Sequence, residues 1–217
     1  MVSGDAKPLI SAVIVAAGLS SRMGAFKPML PLGDSTIIRW CVRSFQCVGV
    51  GDIVVVTGRD ADRLAEHLAP LDVRCVLNEN YASTDMFYSV QLGLRAVKRE
   101  TAAIFFTPGD VPLFAPGSLF AMLEHQRQSG CGSVIPSFAG ERGHPVLIHA
   151  TAIADLLRYS GEDGLRGALS QPSLRTSILA VDDRGILLDA DTPADYEQLQ
   201  CYSRNMQNVQ NGDVPFS

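Results

Sequence analysis

Residues 12–27 read Ala12-Val13-Ile14-Val15-Ala16-Ala17-Gly18-Leu19-Ser20-Ser21-Arg22-Met23-Gly24-Ala25-Phe26-Lys27. An apolar run that breaks into small residues is the mark of a buried parallel strand ending in a loop. The loop carries two cations, Arg22 and Lys27, inside a stretch from Ala6 to Leu32 that contains no acid. Gly18 and Gly24 let peptide N–H groups approach an anion closely, and the cations supply the full charges that amides lack. Five residues separate Gly18 from Gly24 and Lys27 comes three later, whereas a P-loop has four residues and an adjacent lysine. Ser20 stands where a dinucleotide G-x-G-x-x-G loop needs its second glycine. The competing reading is an ordinary strand-to-helix loop with surface cations. The paired alanines and the acid-free surroundings favour phosphate.

Beyond this loop, short β-branched runs alternate with longer amphipathic segments, the pattern of parallel strands joined by crossover helices. Strands are expected at Ile53–Thr57, Val73–Leu77 and Ala102–Thr107, each buried on both faces, and helices at Ser35–Cys47, Asp60–Ala69 and Asp85–Arg99. Asp60 is a plausible N-cap, and Met86, Val90, Leu94 and Val97 form a core-facing stripe. After Asp110 the spacing predicts a helix over Ala115–Ser129 and strands at Ser133–Ser137 and Pro145–His149, an excursion that can cover the site opened by the first half. Thr192-Pro193-Ala194-Asp195 combines an N-cap, a first-turn proline and a third-position acid, so the last helix starts there and runs to about Tyr202. From Ser203 the polar composition predicts a disordered tail, 203–217, behind one domain spanning 1–202.

The chain has 217 residues, 47% of them hydrophobic and 19% charged, which suits one large soluble domain. A net charge of -5 argues against a general nucleic-acid binder. The ends differ in sign: Met1–Val50 holds five Lys or Arg against two acids, and Asp182–Ser217 two against seven. A basic phosphate loop and an acidic metal-binding end would produce that asymmetry. Five cysteines without a C-x-x-C pair point to a reduced, cytoplasmic setting. Leu9–Leu19 could mimic a signal peptide, but Asp5 falls in the would-be basic region and a buried strand explains the same run. No apolar stretch approaches the roughly 20 residues that span a bilayer.

Asp110 follows Phe105-Phe106-Thr107-Pro108-Gly109 and so sits at the carboxyl end of a strand, where open α/β sheets bind ligands. A carboxylate facing a basic phosphate loop suits Mg2+, which takes one or two carboxylates together with phosphate oxygens. A turn or cap aspartate is the alternative. Asp189 and Asp191 are two apart on an extended segment and project to one face, either around a cation or as a solvated turn before a helix. His144 and His149 are five apart in an expected strand and therefore face opposite ways, so they form no metal site by themselves. His67 and His125 fall in helical patterns as surface residues.

The loop resembles the A-A-G-x-S-x-R-M-G-x-x-K signature of the MobA-like nucleotidyltransferases, most closely the molybdenum cofactor cytidylyltransferases. Gly109-Asp110-Val111-Pro112, Arg142-Gly143-His144-Pro145 and Leu188-Asp189-Ala190-Asp191-Thr192-Pro193 fit the same family in the same order, so the resemblance covers roughly residues 12 to 200. It implies a single-domain, Rossmann-like three-layer α/β fold with a mostly parallel central sheet. It further implies transfer of CMP from CTP to the terminal phosphate of molybdopterin-type molybdenum cofactor, with release of pyrophosphate. Ala16, Ala17, Gly18, Arg22, Lys27 and Ser89 would then bind nucleotide, and Arg22, Lys27 and Asp110 would serve catalysis. Asp110 and Asp191 would hold Mg2+, and His144 would meet the second substrate or fix its own turn. Relatives that use GTP carry glycine at the position of Ala17. A molybdenum enzyme would receive the product, and neither nucleic acid nor membrane is an expected partner. Another phosphorylated acceptor, or a non-catalytic cofactor-handling role, is the alternative. One segment departs from the pattern: Asn78-Glu79-Asn80-Tyr81-Ala82-Ser83-Thr84-Asp85-Met86 lacks the family's glycine after Tyr-Ala and is one residue longer, beside the expected base pocket.

Overall fold

The computed structural model describes residues 8–18 and 24–210. Its centre is β1, Leu9–Ala16, whose residues from Ser11 onward are all buried because the strand has parallel neighbours on both edges. A short hairpin, β2 (Pro31–Leu32) and β3 (Ser35–Thr36), leads into α1, Ile37–Cys47. Then follow β4 (Asp52–Thr57), α2 (Ala61–Leu68), β5 (Arg74–Leu77), α3 (Met86–Ala96) and β6 (Thr101–Pro108). The second half adds α4 (Pro116–Ser129), β7 (Ser133–Phe138), β8 (Glu141–Arg142), β9 (Val146–His149), α5 (Ile153–Arg158), α6 (Gly164–Leu169), β10 (Thr176–Ala180) and α7 (Pro193–Gln210).

The main sheet runs β10-β7-β9-β6-β1-β4-β5, with β8 paired to β7. β1, β4, β5 and β6 are mutually parallel, β7 and β10 pair in parallel, and β9 runs against both β6 and β7. One face carries a core that includes Cys41, Val42 and Phe45 of α1, Leu64 and Leu68 of α2, and Leu119 and Met122 of α4. The other includes Val90 and Leu94 of α3, Leu156 of α5 and Ala168 and Leu169 of α6. The result is the expected three-layer α/β domain with a mostly parallel sheet. From β1 the chain first moves to β4 on one side and later returns to β6 on the other, which opens a crevice at the carboxyl end of β1.

Several elements differ from the sequence reading. β5 is the sheet edge, and Leu77 is 50% exposed rather than buried on both faces. In α3 the inward residue of the first turn is Phe87, while Met86 is 55% exposed. The phase is set by Gly93, where an added Cβ would collide with Val13 of β1, so the helix lies close over the strand on that face. Ser35 and Thr36 pair in the hairpin before α1 begins. Asp60 precedes α2 but its side chain caps nothing, pairing instead with Arg59 at 3.5 Å. Thr192 and Asp195 do form a reciprocal capping box, with Thr192 N–H donating to Asp195 Oδ2 at 2.9 Å and Asp195 N–H to Thr192 Oγ1 at 3.3 Å. α7 does not stop at Tyr202 but continues to Gln210, because Ser203 is 2% exposed and Tyr202 and Met206 pack against Leu32, Ile37 and Leu113. Residues 203–210 thus belong to the helix and not to a tail. The segment 211–217 lies outside the described residues.

Candidate active site

A cavity of about 170 Å³ opens at the crevice, lined by Val15 and Ala16 from β1, Ala17 and Gly18 just beyond it, Lys27 from the loop, Ser89 from α3, and Gly109 and Asp110 beyond β6. β1 and β6 approach closely here: Gly109 N–H donates to the Val15 carbonyl at 2.8 Å, and a Cβ on Gly109 would press on Ala16 at 3.2 Å. A side chain at Gly109 would have to push Ala16 aside, so glycine eases the turn that sets the Asp110 carboxylate directly after the strand end. Lys27 occupies a short turn, Lys27–Met29, and points its ammonium at the acids.

That ammonium donates to Asp191 Oδ1 at 2.6 Å and to Asp110 Oδ2 at 3.4 Å. Burial opposes the Lys27 charge, but the hydrogen bond to Asp191 and the field of Asp110 outweigh it and hold its pKa above the ordinary lysine value. Burial pushes the Asp110 carboxyl up; Lys27 pulls it back only partly, and Asp191 adds to the rise. Asp189 is likewise raised by burial, then by Asp110 and Asp191. Asp110, Asp189 and Asp191 thus lie within one another's field, two of them bonded to Lys27. Hard oxygen donors so grouped fit a divalent cation of the Mg2+ type that completes its shell with phosphate oxygens. Among the described residues, no group of three or more His, Cys, Asp or Glu side chains could hold a metal by itself.

The other wall is the loop from Asn78 to Asp85. Asn78, 1% exposed, organises it: its amide nitrogen donates to Thr84 Oγ1 and Ser89 Oγ, each at 3.0 Å, and its Oδ1 accepts from Asn80 N–H at 3.0 Å. Asp85 then caps α3 by accepting from Tyr88 N–H at 2.8 Å. Tyr81, Thr84, Asp85 and Met86 all line the cavity. Ser89 lies at its edge, held by Asn78.

Asp85 and Met86 also line a second cavity of about 1170 Å³, whose walls include Phe106, Ile135, Val146, His144, Arg142, Arg166 and Arg175. His144 lies here and not in the small cavity, its ring edge-on to Phe106 with centroids 5.6 Å apart. Burial lowers its pKa to about 4, so the imidazole is neutral at physiological pH. Its backbone N–H donates to the Ile186 carbonyl at 2.9 Å, and Gly143 leaves no room for a Cβ against the same carbonyl.

Of the residues singled out from sequence, Ala16, Ala17, Gly18, Lys27, Ser89 and Asp110 meet at one cavity, Asp191 joins through Lys27, and His144 lies next door. Arg22 falls in 19–23, outside the described residues. Sequence reasoning missed Asn78 as the organiser of the loop and Asp183 as a hub. Asp183 is 5% exposed and accepts from Ala115 N–H and Ser118 Oγ, each at 2.7 Å, and from Gly185 N–H at 2.9 Å. It ties the segment after Asp110 to the turn before Asp189.

Solved structures share this architecture. A nucleotidyl transferase from Methanothermobacter thermautotroptrophicus superposes with a TM-score of 0.79 at 25% identity, covering 92% of this chain and 100% of that one. Rv0371c from Mycobacterium tuberculosis H37Rv superposes with a TM-score of 0.76 at 25% identity, covering 90% and 99%. The same protein is known in complex with manganese. Fold and crevice together define an α/β nucleotidyltransferase. The model of the MobA-like NTP transferase domain matches residues 12–176, and the chain belongs to that family. Among curated relatives, the molybdenum cofactor cytidylyltransferase of Escherichia coli K12 is 30% identical over 188 residues, 86% of this chain and 93% of that protein. Among the described residues no helix is long and apolar enough to cross a membrane.

Proposed function

We propose that this enzyme transfers CMP from CTP to the terminal phosphate of a molybdopterin-type molybdenum cofactor and releases pyrophosphate. The observation that carries this reading is the pairing of two cavities across Asp85 and Met86, with Lys27 and Asp110 at the smaller one and Asp191 joined to it through Lys27. The small cavity would take nucleotide against Ala16, Ala17 and Gly18. The larger one, apolar within and bordered by Arg142, Arg166 and Arg175, suits a bulky heterocycle bearing phosphate. The acceptor phosphate is already anionic, so no general base is required, and positioning with charge neutralisation supplies most of the rate. Lys27 and Arg22 would neutralise the triphosphate, and backbone amides at Gly18 would orient it. Asp110 and Asp191 would hold Mg2+, which when bound adds positive charge to the phosphate oxygens. His144, neutral and buried, would shape the acceptor cavity without exchanging protons.

Support for cytidine comes from the curated relative and from the Ala17 methyl, which narrows the space beside the base and favours the smaller pyrimidine. Incubating the protein with purified molybdenum cofactor and each of the four nucleotides, with pyrophosphate release as the readout, tests the reading. CTP should be used most efficiently, and Ala17→Gly should shift the choice toward GTP by about tenfold, the scale of one methyl-sized difference. A wild-type preference for GTP would sink the cytidylyl assignment. Transfer only to a sugar or alcohol phosphate would replace the acceptor. A molybdenum enzyme is then the expected recipient of the product.

A further inference from the structure

Lys27 occupies the place between two carboxylates that a divalent cation would need. Its ammonium is 2.6 Å from Asp191 and 3.4 Å from Asp110, and its side chain is only 11% exposed. The backbone beneath is fixed, since Leu30 N–H closes the turn on the Lys27 carbonyl at 3.0 Å and Pro28 stiffens it. Movement is thereby confined to the four-carbon side chain, the flexible part of a lysine. An ammonium and a dication compete for the same carboxylate oxygens, and two cations a few ångströms apart in a partly buried site repel strongly. A triphosphate changes this balance. It offers the ammonium a partner of higher charge and offers the metal further oxygen ligands.

We propose that Lys27 is an internal counter-ion for the metal carboxylates, so that the protein holds a divalent cation tightly only when a nucleoside triphosphate arrives with it and draws the ammonium off Asp110 and Asp191. The inference rests on reading those two aspartates as the metal-holding pair of a nucleotidyl-transfer site. It gives binding an order: free metal is resisted, and metal and nucleotide enter as a unit. Lys27 then passes from carboxylate to phosphate when nucleotide binds.

Mn2+ binding to the full chain, read from the loss of the free-ion paramagnetic resonance signal, tests this without acceptor or turnover. Without nucleotide, Lys27→Met should bind Mn2+ about tenfold or more tightly than wild type, the scale expected when one competing unit charge is removed. The same substitution should weaken binding of the Mn2+–CTP complex by about tenfold or more. Lys27→Arg keeps the charge and should leave nucleotide-free Mn2+ binding near wild type, and Lys27→Gln repeats the neutral test if the methionine variant does not fold. Mn2+ binding by the neutral variants that is no tighter than wild type would overturn the proposal. Failure of the cytidylyl reading shows elsewhere, as a preference for another triphosphate, with which the opposite effects on metal and on nucleotide would persist.

Discussion

Burial and the neighbouring Asp191 raise the pKa of Asp110, and Lys27 offsets part of that rise. Asp110→Asn keeps an oxygen ligand but loses the charge, and turnover should fall by about 100-fold, recovering in part at high magnesium. Asp191 is more exposed, at 43% against 23%, and Asp191→Asn should be milder. Equal and negligible losses in steady-state assays would return both residues to a structural role. His144 makes a different prediction, in pH. Its folded pKa is near 4 against an ordinary 6.5, so between those values the unfolded chain binds a proton that the folded chain refuses. Stability contributed by the neutral ring is full above pH 6.5, is lost as pH falls toward 4, and is level below that. The difference in unfolding free energy between wild type and His144→Gln should therefore shift against the wild type by about 2 kcal/mol between pH 7.5 and 4.5. A difference independent of pH would show that the ring is solvated.

At the scale of elements, α4 shows how a helix can be capped from far away in sequence. Its N-cap, Ala115, has no side chain to offer, and the carboxylate of Asp183 accepts from Ala115 N–H and Ser118 Oγ instead. Asp183→Ala would orphan these donors and Gly185 N–H together, at a cost of about 3 kcal/mol. The urea midpoint should drop accordingly, with Asp183→Asn intermediate, and an unchanged midpoint would contradict the hub. No sequence pattern discloses this, because Asp183 is one acid in an acidic stretch and its partners are remote. β1, β4 and β6 were legible because burial on both faces leaves an uninterrupted apolar run. β5 was not, since an edge strand can carry the same residues while half exposed. In α3 the expected stripe holds at Val90, Leu94 and Val97 but not in the first turn, where Phe87 rather than Met86 faces inward. In the site, Lys27, Asp110 and Asp191 stood out through motifs, whereas Asn78 acts through a network that exists only once the loop has closed.

At the scale of the whole molecule, α7 joins the amino-terminal hairpin to the segment after Asp110, through Leu199 against Leu32, Ile37 and Leu113. Tyr196 reinforces the junction by donating its hydroxyl to the Pro31 carbonyl at 2.5 Å. Composition alone suggested a tail beyond Tyr202, but tertiary packing of Met206 and burial of Ser203 override that preference. Ending the chain at Tyr202 should lower stability by about 1–2 kcal/mol and Tm by about 2–6 °C in a thermal melt. A melt identical to that of the full chain would restore the tail. The wall between the two cavities has a consequence of another kind. Asp85 and Met86 face both spaces, and the loop that carries them is pinned by the Asn78 amide rather than by strand pairing. A change at Tyr81 or Thr84 reaches the smaller compartment alone, but one at Asp85 or Met86 reaches both. Divergence at those two positions is therefore inherited as a package, and descendants that drift there should exchange both substrates rather than one.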